Sequence, residues 1–332
     1  SDSEDDPCLI VGIGDDAAAF NTGHETILLT TDTLVSGIHF RTADIGWKDL
    51  GWKSMAVNLS DIAAMGGKPS WALVTLGLPA ETNPEHVDDL YRGMQDILGI
   101  YGGTIIGGDT VRSASLFISV TLAGTAVVTT AGAAESRGKH LSGSMTGTSA
   151  GAAGLIGSTS DRHAILRRTC ASPGDLIAVT GALGGSSAGL RAINEHRQDP
   201  WAKAAIKAHL RPQPRIKQGQ IIVSNGACSA MDLSDGLVSD LGKLTLASGV
   251  VAIIRAPSIP IHNAAAACYP EDALTLALTG GEDYELVFTA PSNVVHAIKS
   301  VLDIACTVIG EVHAVGDRKS GTVKVLDARG LE

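Results

Sequence analysis

The chain has 332 residues, of which 44% are apolar and 18% charged, a composition that allows a sizeable buried core and more than one domain. Its formal net charge of −10 argues against nucleic acid as a partner, but not against anionic small molecules that metal ions can bridge. The sequence shows neither a long apolar run nor a signal-peptide pattern, so we expect no membrane contact. Its five scattered cysteines lack CxxC spacing, which favours reduced thiols in the cytoplasm over disulfides or zinc.

In the first half, short apolar runs alternate with longer helical patterns. The runs predict strands at Leu9–Gly12, Ile27–Thr31, Trp71–Leu78, Ile105-Ile106 and Leu116–Ala123. The sequence also predicts a helix over Trp47–Met65, which two glycines and a proline end. A second helix is predicted from Asn83 to about Tyr101, because Asn83 can cap it and Pro84 fits its first turn.

Residues 129–160 are rich in Gly, Ser, Ala and Thr and are predicted to be a flexible insertion or linker. The second half alternates again. Helices are predicted near Ser186–His196, Pro212–Asn225 and Gly236–Ser248, and strands at Leu176–Thr180, Val250–Ile254, Tyr284–Phe288 and Thr307–Gly310. We therefore expect the α/β class, with an N-terminal domain over 1–128 and a C-terminal domain over 161–332.

Six short segments place Asp or Glu beside Gly or hydroxyl residues, at expected strand ends or helix starts. They are Gly12-Ile-Gly-Asp-Asp16, Thr30-Thr-Asp-Thr33, Asn58-Leu-Ser-Asp61, Gly107-Gly-Asp-Thr110, Asp232-Leu-Ser-Asp235 and Gly280-Gly-Glu-Asp283. We expect their side chains to converge where strands end. Clustered carboxylates repel one another unless a cation lies between them, and Mg²⁺ prefers such oxygen ligands. The sequence therefore predicts a magnesium site.

Each motif also has an ordinary structural interpretation. An Asp beside Gly is more often a turn or cap residue than a ligand, and Asp16 and Asp235 could cap helices that follow them. Thr30 and Thr31 could be ordinary strand residues, and His39 a turn histidine. Six such motifs in one chain nevertheless favour a shared site.

Other phosphate-binding motifs fit less well. The spacing of Gly12, Gly14 and Ala17 matches a loose dinucleotide fingerprint, but two aspartates would lie where pyrophosphate meets a helix N-terminus. The sequence contains no Walker A loop. The segment from Thr180 to Ser187 could hold a phosphate on its amides or could simply pack tightly.

Taken together and in chain order, seven motifs resemble those of the thiamine-monophosphate kinases. They are GIGDDAA, TTDTLVSGIHF, NLSDIAAMGG, IIGGDTVRS, HLRPQPR, MDLSDGLVSDL and GGEDYELVF. The resemblance covers Val11 to about Gly310. It implies the two-domain architecture of aminoimidazole ribonucleotide synthetase, with mixed α+β sheets and an N-terminal domain that forms a homodimer.

The resemblance also implies roles for individual residues. The magnesium ligands would be Asp16, Thr30, Thr31, Asp32, Asp61, Asp109, Asp232 and Asp235, of which Asp61, Asp109 and Asp235 would be catalytic. Nucleotide contacts would come from Gly108, Asp109, Arg168 and Ser234, and acceptor contacts from His39 and Glu282. The chain ends without the aromatic residue that the family usually carries there, so we expect weaker acceptor binding.

The implied reaction converts ATP and thiamine monophosphate to ADP and thiamine diphosphate, with several Mg²⁺ ions. A phosphate monoester is largely dianionic at pH 7, so its oxygen needs no general base. Positioning and charge neutralisation then supply most of the catalysis, by direct in-line transfer. Two alternatives stay open: a related ATP-dependent enzyme with another acceptor, and a catalytically silent nucleotide or metal sensor.

Overall fold

The computed structural model describes residues 6–129 and 162–331. Its N-terminal part contains, in order, β1 (Leu9–Val11), β2 (Ala18–Asn21), β3 (Thr26–Val35), α1 (Trp47–Ala64), β4 (Lys68–Leu78), α2 (Pro84–Tyr101), β5 (Thr104–Arg112) and β6 (Phe117–Thr125). The strands form a mixed sheet in the order β1-β2-β3-β6-β4-β5, with β4 and β5 parallel and the other neighbours antiparallel. The predicted cap of α2 is confirmed, because Asn83 Oδ1 accepts a hydrogen bond from Glu85 N at 3.0 Å.

The two faces of this sheet differ in burial. Leu28, Val74 and Val120 point towards the helices and are fully buried. On the opposite face Trp71 and Leu73 are 51% and 46% exposed, although their strand β4 has a neighbouring strand on each side. An exposed apolar sheet face of this kind is typical of a contact with another surface.

The remaining elements follow a gap in the described chain. They are β7 (Val127–Thr129), β8 (Arg162–Ala164), a 3₁₀ turn (Arg168–Cys170), β9 (Leu176–Thr180), α3 (Gly185–Asn194), α4 (Pro200–Leu210), α5 (Ile216–Ser224), β10 (Ser229–Asp232), α6 (Leu237–Ala247), β11 (Val251–Arg255), a 3₁₀ turn (Ala256–Ser258), α7 (Asn263–Cys268), α8 (Ala273–Thr279), β12 (Leu286–Ala290), α9 (Ser292–Val301), β13 (Cys306–His313) and β14 (Val323–Leu326). Strands β7 and β8 pair antiparallel, and nearly all of the predicted 129–160 insertion lies outside the described residues.

The second large sheet has the order β10-β12-β9-β13-β11-β14 and is antiparallel except for its last pair. Both large sheets are therefore mixed and carry helices, which confirms the predicted α/β class with mixed sheets. Among the described residues, no helix is long and apolar enough to cross a membrane.

Helix α1 lies at the junction of the two parts and is buried on nearly all sides. A Cβ atom added at Gly219 in α5 would lie only 2.0 Å from Ala63 O, so α5 can approach α1 this closely because residue 219 is a glycine. Trp52 Nε1 donates a hydrogen bond to Pro212 O at 2.8 Å, across the same junction. The helix thus connects the two parts, and the cavities described next lie beside it.

Candidate active site

A cleft of about 400 Å³ lies between the two parts, and we call it the carboxylate cleft. All of the predicted site residues except Gly108 and Asp109 line it. They are Asp16, Thr30, Thr31, Asp32, His39, Asp61, Arg168, Asp232, Ser234, Asp235 and Glu282. Asp15, Thr33, Leu34, Val57 and Tyr284 complete the lining.

Three carboxylates meet at the centre of the cleft. Asp16 precedes β2, Asp61 lies in the last turn of α1, and Asp232 ends β10, yet an oxygen or more of each lies within 4.8 Å of the others. Two hydroxyls hold them in place: Thr30 Oγ1 donates to Asp61 Oδ2 at 2.5 Å, and Ser60 Oγ donates to Asp232 Oδ2 at 2.6 Å. The cluster therefore combines groups from both parts of the chain.

Burial and mutual repulsion disfavour three negative charges at this point. Burial and then the neighbouring Asp232 raise the pKa of Asp16 and of Asp61 well above the ordinary value, while burial raises the pKa of Asp232 to about 7. One oxygen of Asp16, Oδ2, is buried without a hydrogen-bond partner among the described residues. A hard divalent cation such as Mg²⁺ would satisfy this oxygen and offset the repulsion, so the residues present fit the predicted metal.

Asp32 and His39 lie beside the cluster. Asp32 N donates to Asn58 Oδ1 at 3.0 Å, and burial raises the pKa of the Asp32 carboxyl while His39 opposes that rise. His39 Nδ1 accepts a hydrogen bond from Val35 N at 3.1 Å, as a turn histidine would, and its side chain also lines the cleft.

The acids converge as expected, and Asp232 lies at the end of a strand, but the expectation that the others also lie at strand ends is wrong. Asp32 lies inside β3, and Asp61 lies at the C-terminal end of a helix. Neighbouring strands of the two sheets are mostly antiparallel, so their carboxyl ends point to opposite edges. The acids meet because α1 packs against the C-terminal part.

Arg168 brings a guanidinium into this acidic cleft. It donates from Nη2 to Asp16, and its backbone amide donates to Asp15 Oδ2 at 3.1 Å. Its Nε is buried, lies 3.9 Å from Asp15 Oδ1 and has no hydrogen-bond partner among the described residues. A phosphate oxygen is the natural acceptor for such a donor.

Asp235 lies at the rim of the cleft, where its carboxylate contacts Lys243. Neither it nor Asp16 caps a helix, so both capping alternatives are wrong. Asp16 precedes a strand. The N-cap of α6 is Gly236, and Asp240 in the first turn of that helix accepts hydrogen bonds from the amides of Asp235 and Gly236 at 2.9 and 3.0 Å.

Gly108 and Asp109 lie elsewhere, on the edge strand β5. Three strand spacings separate β5 from β3, a distance of about 14 Å. Asp109 is exposed and belongs to the row Thr33–Ser119–Thr75–Asp109 across the sheet. Within one chain the structure therefore separates these two residues from the carboxylate cluster.

The two acids of the Gly280–Asp283 motif have different roles. Glu282 lines the cleft, whereas Asp283 is partly buried and accepts hydrogen bonds from the amides of Gly184 and Ser186 at 2.6 and 3.0 Å. Asp283 thereby occupies the N-terminus of α3. The amides between Thr180 and Ser187 are used by this carboxylate, which supports the packing alternative for that segment.

A second cavity of about 420 Å³ adjoins the cleft and shares His39 and Glu282 with it. Its other lining residues are Gly37, Ile38, Phe40, Arg41, Asp44, Ile45, Lys53, Leu190, Ile193, Asn194, His209 and Leu210. Lys53 and His209 were not predicted as site residues. Lys53 lies in a helix that also contains other polar residues, so its position in the sequence alone does not mark it as a site residue.

Comparison with known proteins agrees with this architecture. The family AIR synthase related protein, N-terminal domain, matches residues 14–127, and AIR synthase related protein, C-terminal domain, matches residues 172–322. The two domains of the chain are thus those of the AIR synthase related class.

Individual proteins with higher similarity to this chain identify one family within the class. The chain is 40% identical over 305 residues to thiamine-monophosphate kinase of Escherichia coli (strain K12), covering 90% of this chain and 81% of the relative. It is 32% identical over 311 residues to the Bacillus subtilis (strain 168) kinase, covering 91% and 85%. The solved structure of AaThiL complexed with AMPPCP and TMP has a TM-score of 0.76 at 31% identity, covering 94% of this chain and 87% of that one. The chain belongs to the thiamine-monophosphate kinase family.

Proposed function

We propose that this chain transfers the γ-phosphoryl group of ATP to thiamine monophosphate and releases ADP and thiamine diphosphate. The observation that carries the proposal is the pair of adjoining cavities, one lined by buried carboxylates and the other more apolar. An acceptor with an anionic phosphate and an organic ring system has the same two halves. AaThiL, a relative of similar fold, binds AMPPCP and TMP.

Asp16, Asp61 and Asp232 would hold Mg²⁺, with Thr30, Thr31, Asp32 and Asp235 around them. The ions would neutralise the charge of two polyanions that must approach each other. Arg168 would contact phosphate through Nε, which has no hydrogen-bond partner among the described residues, and Ser234, which also lines the cleft, would contact the nucleotide. Since the acceptor phosphate is already dianionic, these residues position and neutralise, and none has to remove a proton.

The organic part of the acceptor would occupy the second cavity. His39 and Glu282 line both cavities and would therefore lie where the phosphate joins the organic part. The Glu282 carboxylate would also face the positive charge of the thiazolium ring, a favourable contact in a partly desolvated position.

We also propose a two-fold homodimer formed through the exposed face of the N-terminal sheet. Trp71 and Leu73 supply an apolar surface on this face, and Thr33, at the cleft, lies on the same face as Asp109. If Gly108 and Asp109 contact the nucleotide, a second copy has to bring them to the cleft. This arrangement reconciles their implied role with their distance from the cluster.

Subunit complementation tests the dimer. Asp61→Asn and Asp109→Asn should each be inactive alone. The two variants are then mixed at equal concentration, unfolded together and refolded. Half of the dimers should contain one subunit of each variant, and one of the two sites in such a dimer should be intact. The mixture should therefore have about a quarter of wild-type activity. No recovery from folded, dimeric mixtures, or a monomeric wild type at micromolar concentration, would contradict the proposal.

The residues 1–128 and 161–332 are proposed as the two domains, and the family matches over 14–127 and 172–322 support this division. A cytoplasmic location is also proposed. It is supported by the scattered positions of the five cysteines along the sequence, which lack CxxC spacing.

The experiment that tests the activity supplies ATP, Mg²⁺ and either thiamine or thiamine monophosphate, and then separates the products. Thiamine diphosphate should form only from the monophosphate, and EDTA should abolish its formation. Comparable phosphorylation of free thiamine would contradict the absence of a general base. ATP binding without product from either acceptor would favour the silent-sensor alternative.

A further inference from the structure

Lys53 is a buried lysine in the middle of α1, and its side chain is only 1% exposed. Its Nζ lies 3.0 Å from Glu282 Oε2 and 3.3 Å from His209 Nε2. Among the described residues, these two side chains are the hydrogen-bonding partners of the ammonium group. Lys53 belongs to the N-terminal part of the chain and both partners to the C-terminal part.

The geometry assigns the tautomer of His209. An ammonium group can only donate, so Nε2 of the ring accepts and the proton lies on Nδ1. From there it can reach Ser186 Oγ at 2.9 Å or Glu282 Oε2 at 3.4 Å. Burial and, next in size, the charge of Lys53 together lower the pKa of His209 to about 4, so the ring is neutral. Glu282 is then the group that balances the charge of Lys53.

Glu282 depends on this contact for the direction of its carboxylate. Its backbone has a left-handed φ of 66°, which is uncommon for a residue with a side chain, and its amide donates to Ser234 O at 2.8 Å. The backbone is thus fixed, but the side chain is 28% exposed and reaches the junction of the two cavities. Without Lys53 the carboxylate could turn towards water.

We propose that Lys53 is a positioning residue that holds the Glu282 carboxylate at the junction of the carboxylate cleft and the second cavity, so that recognition of the acceptor's organic cation depends on Lys53. The inference rests on the proposed function. A role in stability alone does not explain a lysine here, because a buried ion pair is often no more stabilising than well-packed apolar residues of the same volume.

The test is a cycle of four proteins: wild type, Lys53→Met, Glu282→Gln and the double variant. Lys48→Met is the matched control, because Lys48 lies on the same helix but is exposed and pairs with Asp96. We expect Lys53→Met to raise the KM for thiamine monophosphate at least about tenfold, with the KM for ATP unchanged within about twofold. In the double variant the acceptor KM should be no higher than in Glu282→Gln alone.

Thermal unfolding of the same proteins gives a second readout. Glu282→Gln should lower the midpoint, because it leaves a buried ammonium without a counter-charge, and adding Lys53→Met should recover it. A folded Lys53→Met protein with a normal acceptor KM would overturn the inference, as would acceptor effects that multiply in the double variant.

A failure of the proposed function can be distinguished from a failure of the inference about Lys53. The proposed function fails if wild type binds thiamine monophosphate in calorimetry but forms no thiamine diphosphate. The acceptor dissociation constants of the four proteins then replace KM in the same cycle, and an unchanged constant for Lys53→Met overturns the inference.

Discussion

The two adjoining cavities have nearly the same volume, about 400 and 420 Å³, and share two residues, yet their charges are arranged in opposite ways. In the carboxylate cleft, Asp16, Asp61 and Asp232 crowd together with one guanidinium among them. In the second cavity, the carboxylate of Glu282 has a buried lysine and a histidine at hydrogen-bonding distance.

The two cavities differ in whether their carboxylates need a cation. Burial, and then neighbouring carboxylates, raise the pKa of the cluster carboxyls, so their ionised forms are unfavourable unless a cation binds. The paired carboxylate of Glu282 needs no metal ion and can act as a fixed recognition group. We infer that the cleft binds metal ions and phosphate groups and that the second cavity binds the organic part of the acceptor.

The largest effect is expected in the cleft. Asp61→Asn should preserve folding yet lower turnover at least about a hundredfold, or about 2.7 kcal/mol of transition-state stabilisation, because a cluster ligand is lost. In EDTA the variant should melt no lower than wild type, since one of three repelling carboxylates is gone.

Asp96→Asn, at an exposed position on α2, is the control for this substitution and should behave as wild type. Near-normal turnover of folded Asp61→Asn protein would remove Asp61 from the site. It would also break the contrast between the two cavities.

Beside the second cavity, His209 should make stability depend on pH. Its pKa in the folded protein is about 4, below the ordinary value of 6.5, so on acidification the unfolded chain takes up a proton that the folded chain does not. Stability is therefore lost as the pH falls from 6.5 towards 4. Between pH 6.5 and 5.0 wild type should lose about 1.5 kcal/mol more unfolding free energy than His209→Gln. If the unfolding free energies of the two proteins fell by the same amount over this pH range, His209 would not be held neutral in the folded protein.

A smaller effect is expected from Arg168→Lys. Lysine keeps the positive charge but lacks the planar fork that lets one group contact Asp16 and a phosphate together. We expect about a tenfold loss of kcat/KM for ATP, or about 1.4 kcal/mol. Steady-state kinetics beside Arg92→Lys, an exposed arginine on α2, provide the measurement and its control. Equal kinetics for both variants would exclude the phosphate contact.

The sequence predicts elements that carry local signals. Asn83 and Pro84 begin α2 as expected, and Asp199 and Pro200 give the same signal at the start of α4, whose Asp199 Oδ1 accepts from Ala202 N at 3.1 Å. Helix α4 was nevertheless not among the predicted helices. Strand β10 has no comparable signal, because its four residues are all buried and pair with a strand far along the chain.

The sequence predicted which residues line the site better than it predicted where they lie in the fold. The motifs name most residues of the cleft, but their meeting point depends on how α1 packs against the C-terminal part, which no local pattern encodes. Lys53 shows the same limit. Its spacing cannot distinguish a solvated lysine from a buried one, and its partner Glu282 lies 229 positions further along the chain.

The most direct test of the division between the two cavities is a crystal structure of the protein with Mn²⁺, a non-hydrolysable ATP analogue and thiamine monophosphate. The account predicts anomalous peaks among Asp16, Asp61 and Asp232, with the acceptor phosphate beside them and its rings in the second cavity against Glu282. Rings bound in the carboxylate cleft, or no metal peak at the three aspartates, would contradict it.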